Sequence, residues 1–188
     1  LPPPEELLPP AEPALPEDPL EETDATFFVS NIEITGSTVF SQADLADLVA
    51  PYLNRQVSFR ELLELRNAIT ERYVAAGYIT SGAILPPQTL VDDRVTIQAI
   101  EGELEDIVVT GLNRLSPAYV RSRLGRAGTP PLNVDRLLTG LQRLQLNPLI
   151  ETVAADLQAG SRANLSVLVV NLAEADSFAV DLSLDNYG

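Results

Sequence analysis

The sequence predicts an α+β fold: two tandem β-α-α-β-β units, each a three-stranded mixed sheet with two helices on one face, then the start of one further strand. Three observations predict it. First, Ile32-Glu33-Ile34-Thr35-Gly36 returns as Ile107-Val108-Val109-Thr110-Gly111, an offset of 75 residues. At the same offset Ser41 meets Ser116, Val57-Ser58 meets Leu132-Asn133, Leu62-Leu63 meets Leu137-Leu138, and Ile69 meets Leu144. An ungapped offset held this long indicates duplication of one supersecondary unit. Second, in each copy a helical apolar period gives way to a period of two. Third, the two ends of the chain differ in composition from everything between them.

The first 25 residues read as an acidic linker. Residues 1 to 24 hold eight prolines, eight acidic side chains and no basic one. They lack a hydrophobic period and cannot bury enough apolar surface to offset ordering, so an extended, partly polyproline-like spacer is expected.

The first unit is expected over 26–102. Phe27 to Thr35 reads as a strand ended by Gly36. Ser41 with Asp44 is the pattern of a helix N-cap, and a short helix over Ala43 to Val49 stops before Pro51. Ser58 with Glu61 predicts a capping box. Phe59, Leu62, Leu63, Ile69 and Tyr73 then form an apolar stripe that ends at Gly77, with Arg66 at its boundary. Tyr78 to Leu85 is rich in β-formers. Pro86-Pro87 cannot continue a central strand. Asp92-Asp93 is a reversal, and Val95, Ile97 and Ala99 share one face of the strand Arg94 to Ile100.

The second unit is expected over 103–175. Ser116 caps a helix with Pro117 in its first turn. Asn133 precedes a second helix whose stripe is Val134, Leu137, Leu138, Leu141 and Leu144. Thr152 to Leu157 and Asn164 to Leu172 close the unit. In each copy the first strand is expected to pair with the third, because the two helices make a crossover. Tyr78 to Leu85 and Thr152 to Leu157 are then sheet edges. Over 176–188, Phe178, Val180, Leu182 and Leu184 alternate with polar or small residues, the pattern of a first stave of a membrane β-barrel.

Composition narrows the function. The net charge is −15, with 12 basic residues, all Arg. No basic patch is visible for phosphate, so nucleic acid is not an expected partner. Without Cys or His there is no thiolate or imidazole for metal, nucleophile or general base. A Ser-Lys pair is equally unavailable. Asp92-Asp93 and the Glu101/Glu103 pair lie at a turn and a strand end, where solvated carboxylates are expected. No enzyme, metal or cofactor is expected. Without Met, residue 1 is not an initiator and the chain reads as a mature or trimmed fragment.

The duplicated unit, Gly77-Tyr78, Leu85-Pro86-Pro87-Gln88, the strand into Glu101-Gly102, Ile107 to Gly111, and Asp185-Asn186-Tyr187-Gly188 together resemble the polypeptide-transport-associated (POTRA) domains of two-partner secretion transporters, the hemolysin-activator and filamentous-hemagglutinin transporter family. The resemblance covers residues 26 to 188. It implies two periplasmic POTRA domains that capture an unfolded secreted polypeptide and pass it to their own C-terminal β-barrel in the outer membrane. Related readings are the POTRA region of an outer-membrane assembly or insertion barrel, that of a chloroplast translocon, and a free periplasmic scaffold. The fragment is expected to be monomeric.

A sheet edge offers unpaired N–H and C=O groups to any extended chain with little demand on its sequence. The candidate binding residues are therefore Tyr78, Ile79, Thr80, Ser81, Gly82 and Ala83 in the first unit, and Val153, Ala154, Ala155 and Asp156 in the second. Ile79→Pro is expected to weaken capture. Tyr73, at the end of the long helix, is a candidate for lining an adjoining groove with Tyr78. Arg121, Arg123 and Arg126 form a basic cluster near a helix end, where positive charge suits the dipole.

Overall fold

The structure, a computed structural model, describes residues 25–175. The expected linker over 1–24 and the expected barrel strand over 176–188 lie outside the described residues.

The first unit opens with β1 (Thr26–Val29) and β2 (Asn31–Thr35). The sequence reads them as one strand, but the chain turns at Ser30. There the Ser30 N–H donates to Asp93 O at 2.9 Å, and its hydroxyl donates to Asp92 O at 3.0 Å. β1 leaves the main sheet and pairs antiparallel with β3 (Arg55–Ser58), a strand the sequence reading did not contain. β3 is four residues long, follows Asn54 at positive φ and ends in Ser58, the N-cap of the next helix, so it offers no usable alternation. The first helix, α1, is shorter than expected, at Ala46–Val49. Ser41 and Asp44 do bond each other reciprocally, but they close a turn ahead of the helix rather than capping it.

The long helix α2 (Phe59–Ala75) carries the expected Ser58/Glu61 capping box. Its buried face is Leu62, Leu65, Ile69 and Tyr73, whereas Phe59 is 47% exposed. β4 is only Gly82–Ile84, and β5 is Arg94–Ile100. Asp92 and Asp93 make the expected reversal with φ of 53° at both, closed by Arg94 N–H to Val91 O. β2 and β4 flank β5, parallel and antiparallel respectively. This is the mixed sheet with the first strand beside the third.

The second unit follows the expected order: β6 (Glu103–Thr110), α3 (Pro117–Ala127), α4 (Val134–Gln145), β7 (Ile150–Ala159) and β8 (Leu165–Glu174). Ser116 and Asn133 cap the two helices with their side chains. β8 is central, parallel to β6 and antiparallel to β7. On α4, Leu137 and Leu144 are buried and Leu138 is half exposed, so the expected stripe is wider than the face that packs. Each unit has its own apolar core. One is centred on Ile32, Leu65, Ile69 and Ile97, the other on Val120, Leu124, Leu132 and Leu168.

The two units are stapled where α2 ends and α4 begins. Asn133 is buried; its Nδ2 donates to Ala76 O at 2.9 Å, while its Oδ1 accepts from the N–H groups of Asp135 and Arg136 at 3.1 Å. Val134 N–H donates to Gly77 O at 2.9 Å, and Leu132 N–H to Gly102 O at 2.7 Å. The carbonyl-rich end of one helix thus meets the N–H-rich start of the other, a favourable dipole pairing. Gly77 sits at φ +85°, and a Cβ there would lie 2.7 Å from Asp135 Oδ2.

Candidate functional site: the open sheet edge

The two three-stranded sheets leave four edges: β2, β4, β6 and β7. On three of them a side chain occupies at least one outward main-chain group. On β2, the Gln42 amide acts as a strand would: its Oε1 accepts from Ile34 N–H at 3.3 Å and its Nε2 donates to Ile32 O at 2.8 Å. On β4, Ala83 N–H donates to Thr70 Oγ1 of α2 at 3.0 Å, and Thr70 Oγ1 in turn donates to Arg66 O. On β6, Arg121 Nε donates to Ile107 O at 2.9 Å, and Ile107 N–H donates to Asp106 Oδ1 at 2.7 Å. Ile107 is the repeat of Ile32, so the same carbonyl is occupied in both units, by different side chains. Arg121 therefore serves a strand edge and not the helix dipole.

A fourth plug extends β4. Beyond Ile84, the Gln88 amide bonds Thr96 in both directions, Oε1 from Thr96 N–H at 2.7 Å and Nε2 to Thr96 O at 2.8 Å. Pro86-Pro87 ends the strand, and Gln88 replaces what the strand would have supplied.

β7 has no such cover. It runs for ten residues, and Ala154, Ala155, Asp156 and Gln158 are exposed. Among the described residues no side chain hydrogen-bonds its main chain between Thr152 and Ala159. Outward and inward residues alternate along an antiparallel edge. β8 turns Leu168 and Val170 toward β6, so Val169 and Asn171 face β7. Their partners Asp156 and Ala154 bond inward. Val153, Ala155 and Leu157 are left with outward N–H and C=O groups.

The candidate residues from the sequence divide accordingly. Val153, Ala154, Ala155 and Asp156 lie together on this open edge. Gly82 and Ala83 lie on β4, a three-residue edge whose outward donor is already used. Tyr78, Ile79, Thr80 and Ser81 are not strand at all. They form a turn closed by Ser81 N–H to Tyr78 O at 2.9 Å, because Ser81 Oγ is drawn in to accept from Gly102 N–H. Ile79→Pro would therefore not probe a strand edge.

Tyr73 is fully buried and lines no groove. It packs edge-on to Phe40 and Tyr78, and its hydroxyl lies 2.7 Å from Ser37 Oγ and 3.0 Å from Glu101 Oε1. Burial pushes the Tyr73 phenol up to about 12. Glu101 also accepts from Thr38 N–H at 2.7 Å and Val39 N–H at 3.0 Å. Burial disfavours its charge, but these donors together with the Thr38 and Tyr73 hydroxyls outweigh burial and hold the carboxyl below its ordinary value. Glu101, read in the sequence as a strand end and as half of a solvated acid pair with Glu103, is instead a structural tie. Among the described residues there is no cluster of acids that would hold a metal.

Comparison with known proteins agrees with this architecture. Residues 27–102 match the family model described as a ShlB-type POTRA domain. The chain is 29% identical over 163 residues to the outer membrane transporter CdiB of Escherichia coli, covering 86% of this chain and 27% of the relative. It is 31% identical over 149 residues to the heme/hemopexin transporter protein HuxB of Haemophilus influenzae, covering 77% and 26%. Among solved structures, CdiB from Escherichia coli superposes with a TM-score of 0.67 at 30% identity, over 87% of this chain and 30% of that one. The N-terminal domain of Omp85 from Thermosynechococcus elongatus shares the fold, with a TM-score of 0.66 at 24% identity over 79% and 67%. The chain spans about a quarter of the length of the curated relatives it matches.

Proposed function

From the premise that this chain is a POTRA-domain region homologous to the two-partner secretion transporters CdiB and HuxB, we propose that it is the periplasmic receptor of an outer-membrane protein-secretion transporter. It binds an unfolded exported polypeptide and hands it to a C-terminal β-barrel. The observation that carries the binding step is the contrast between edges: on β2, β4 and β6 a side chain bonds an outward main-chain group, whereas among the described residues none does so along β7 between Thr152 and Ala159.

Binding is by strand addition. An extended segment paired with Val153, Ala155 and Leu157 gains main-chain hydrogen bonds that ask nothing of its sequence. This suits a receptor for an unfolded chain, and no bond is made or broken. The CdiB relatives are named outer membrane transporters, and we place this region on the periplasmic side of such a membrane. The first unit serves as the outer arm, held to the second through the Asn133 staple.

The test is a pair of proline variants on one strand. The Ala155 N–H points outward, so Ala155→Pro removes a donor that only a guest strand would use, and proline is tolerated on an edge. The Ala154 N–H faces β8, so Ala154→Pro breaks the ladder. With reduced, carboxymethylated α-lactalbumin as a permanently unfolded probe, Ala155→Pro should bind about fivefold more weakly, the worth of roughly one hydrogen bond, with an unchanged melting temperature. Ala154→Pro should lower stability first. Undiminished binding by a folded Ala155→Pro protein would remove β7 from the proposal.

A further inference from the structure

The helix layer of the second unit carries a groove of about 850 Å³ that the strand-edge reading does not use. It exists because α3 and α4 approach closely at one point. A Cβ on Gly140 would lie 2.7 Å from Ala127 Cβ, so no side chain fills the crossing and the flanking ones splay apart. Those flanking side chains are cationic: Arg123 and Arg126 from α3, Arg136 and Arg143 from α4. Asp135 is the one acid among the described lining residues.

The four guanidinium groups have no carboxylate partner among the described residues. Arg123 stacks over the Tyr119 ring at 5.3 Å. Arg136 is held by Thr129 Oγ1 and by the carbonyls of Thr129 and Pro131. Arg126 and Arg143 are exposed. At the groove mouth Leu146 is 82% exposed and Tyr119 36%. A chain with net charge −15 thus places four of its 12 basic residues around one partly apolar cleft.

We infer that this groove docks the chain's own N-terminal segment, residues 1 to 24. The complement is in both charge and form. The segment has eight carboxylates, no cation, and leucines at positions 1, 7, 8, 15 and 20. Eight prolines in 24 residues restrict the freedom a chain has to lose on docking. The tether supplies an effective concentration in the millimolar range. Reach is not limiting. About 24 residues at roughly 3.1 Å each span some 75 Å, whereas a compact unit of about 75 residues has a radius of gyration near 11 Å. Exposed ion pairs are individually weak, so the contact is reversible and salt-sensitive. It is separate from the β7 edge and does not depend on the secretion reading.

Because the chain has no Cys, a spin label at Ala11→Cys in the full 188-residue protein reports the contact cleanly. At low salt it should broaden the amide signals of Arg126, Gly140 and Arg143, independently of protein concentration. In about 1 M NaCl, with a Debye length near 3 Å, the broadening should disappear. Arg126→Gln with Arg143→Gln should cut it roughly threefold or more. The same loss is expected from Glu17→Gln, Asp18→Asn, Glu21→Gln and Glu22→Gln, a set that lies outside the described residues. Broadening that is absent, centred elsewhere, or insensitive to salt and to both variant sets would overturn the inference. Broadening that grows with concentration would assign the groove to a second copy and overturn it equally.

Discussion

Glu101 and Glu174 perform the same task in the two units: each ends the third strand and ties down the loop that follows the first. Glu101 accepts from the N–H groups of Thr38 and Val39. Glu174 accepts from those of Asn113, Arg114 and Leu115 at 2.8–3.0 Å, and pairs with Arg114 Nε at 3.2 Å. Asn113 and Arg114 are the repeats of Thr38 and Val39. The duplication thus extends to a carboxylate and its receptor loop, a likeness no shared motif around Glu174 displays.

This tie makes stability depend on acid. The Glu174 carboxyl is lowered to about 2, first by its bond from Leu115 N–H, against an ordinary value of 4.5. Between those values the unfolded state binds more protons than the folded one, so stability falls with pH. The contribution is complete above pH 4.5 and is lost progressively down to about 2. Glu101 is lowered as well and acts in the same direction. Urea titrations across this range should show a shallower pH dependence in Glu174→Gln. An identical slope in wild type and variant would exclude the tie.

Tyr73 joins the first unit's core to Glu101. Tyr73→Phe keeps the ring packing and loses the hydroxyl, so it should cost about 1 kcal/mol. Tyr73→Leu also loses the edge-on ring contacts and should cost about 2–4 kcal/mol. The phenol titrates in the folded state at about 12 rather than 10.0. The stability held by neutral Tyr73 is complete below pH 10.0 and lost as pH rises toward about 12. Absorbance near 295 nm, compared between wild type and Tyr73→Phe, should lack one late-titrating tyrosine in the variant.

Gly77 sets how the two units meet. Gly77→Ala puts a Cβ at positive φ, costing roughly 1–2 kcal/mol, and drives it against Asp135 and Asn133. Asn133→Ala removes both the N-cap of α4 and the bond to Ala76, with a cost of about 1–2 kcal/mol. Both variants should keep the two folded cores and change the distance between labels placed one in each unit. An unchanged distance distribution would show that the staple does not set the inter-unit geometry.

Thr70 guards the short edge. Thr70→Val keeps the shape and deletes the acceptor, leaving Ala83 N–H without its partner at a cost of about 1–3 kcal/mol. Amide exchange at Ala83 should accelerate while that of Ala99, on the central strand, follows only the global loss of stability. An exchange rate at Ala83 equal to wild type would mean that water replaces Thr70 at no cost.

The sequence by itself determined the duplicated β-α-α-β-β frame, the helices α2, α3 and α4 with the caps Ser58 and Ser116, and the placing of each closing strand at the centre. These follow from periodicity, capping chemistry and crossover handedness, which are local or nearly so. It also marked Val153 to Asp156 as edge, because strand order alone makes them one. Only the tertiary structure decided which edges are free. Whether Gln42 reaches Ile32 and Ile34, Thr70 reaches Ala83, or Arg121 reaches Ile107 depends on how each helix lies on its sheet, and spacing does not encode that. The same reason hid β3, whose partner is made by a turn at Ser30 that distant Asp92 and Asp93 stabilise. It also turned Tyr78 to Ser81 from strand into a packed corner against Gly102.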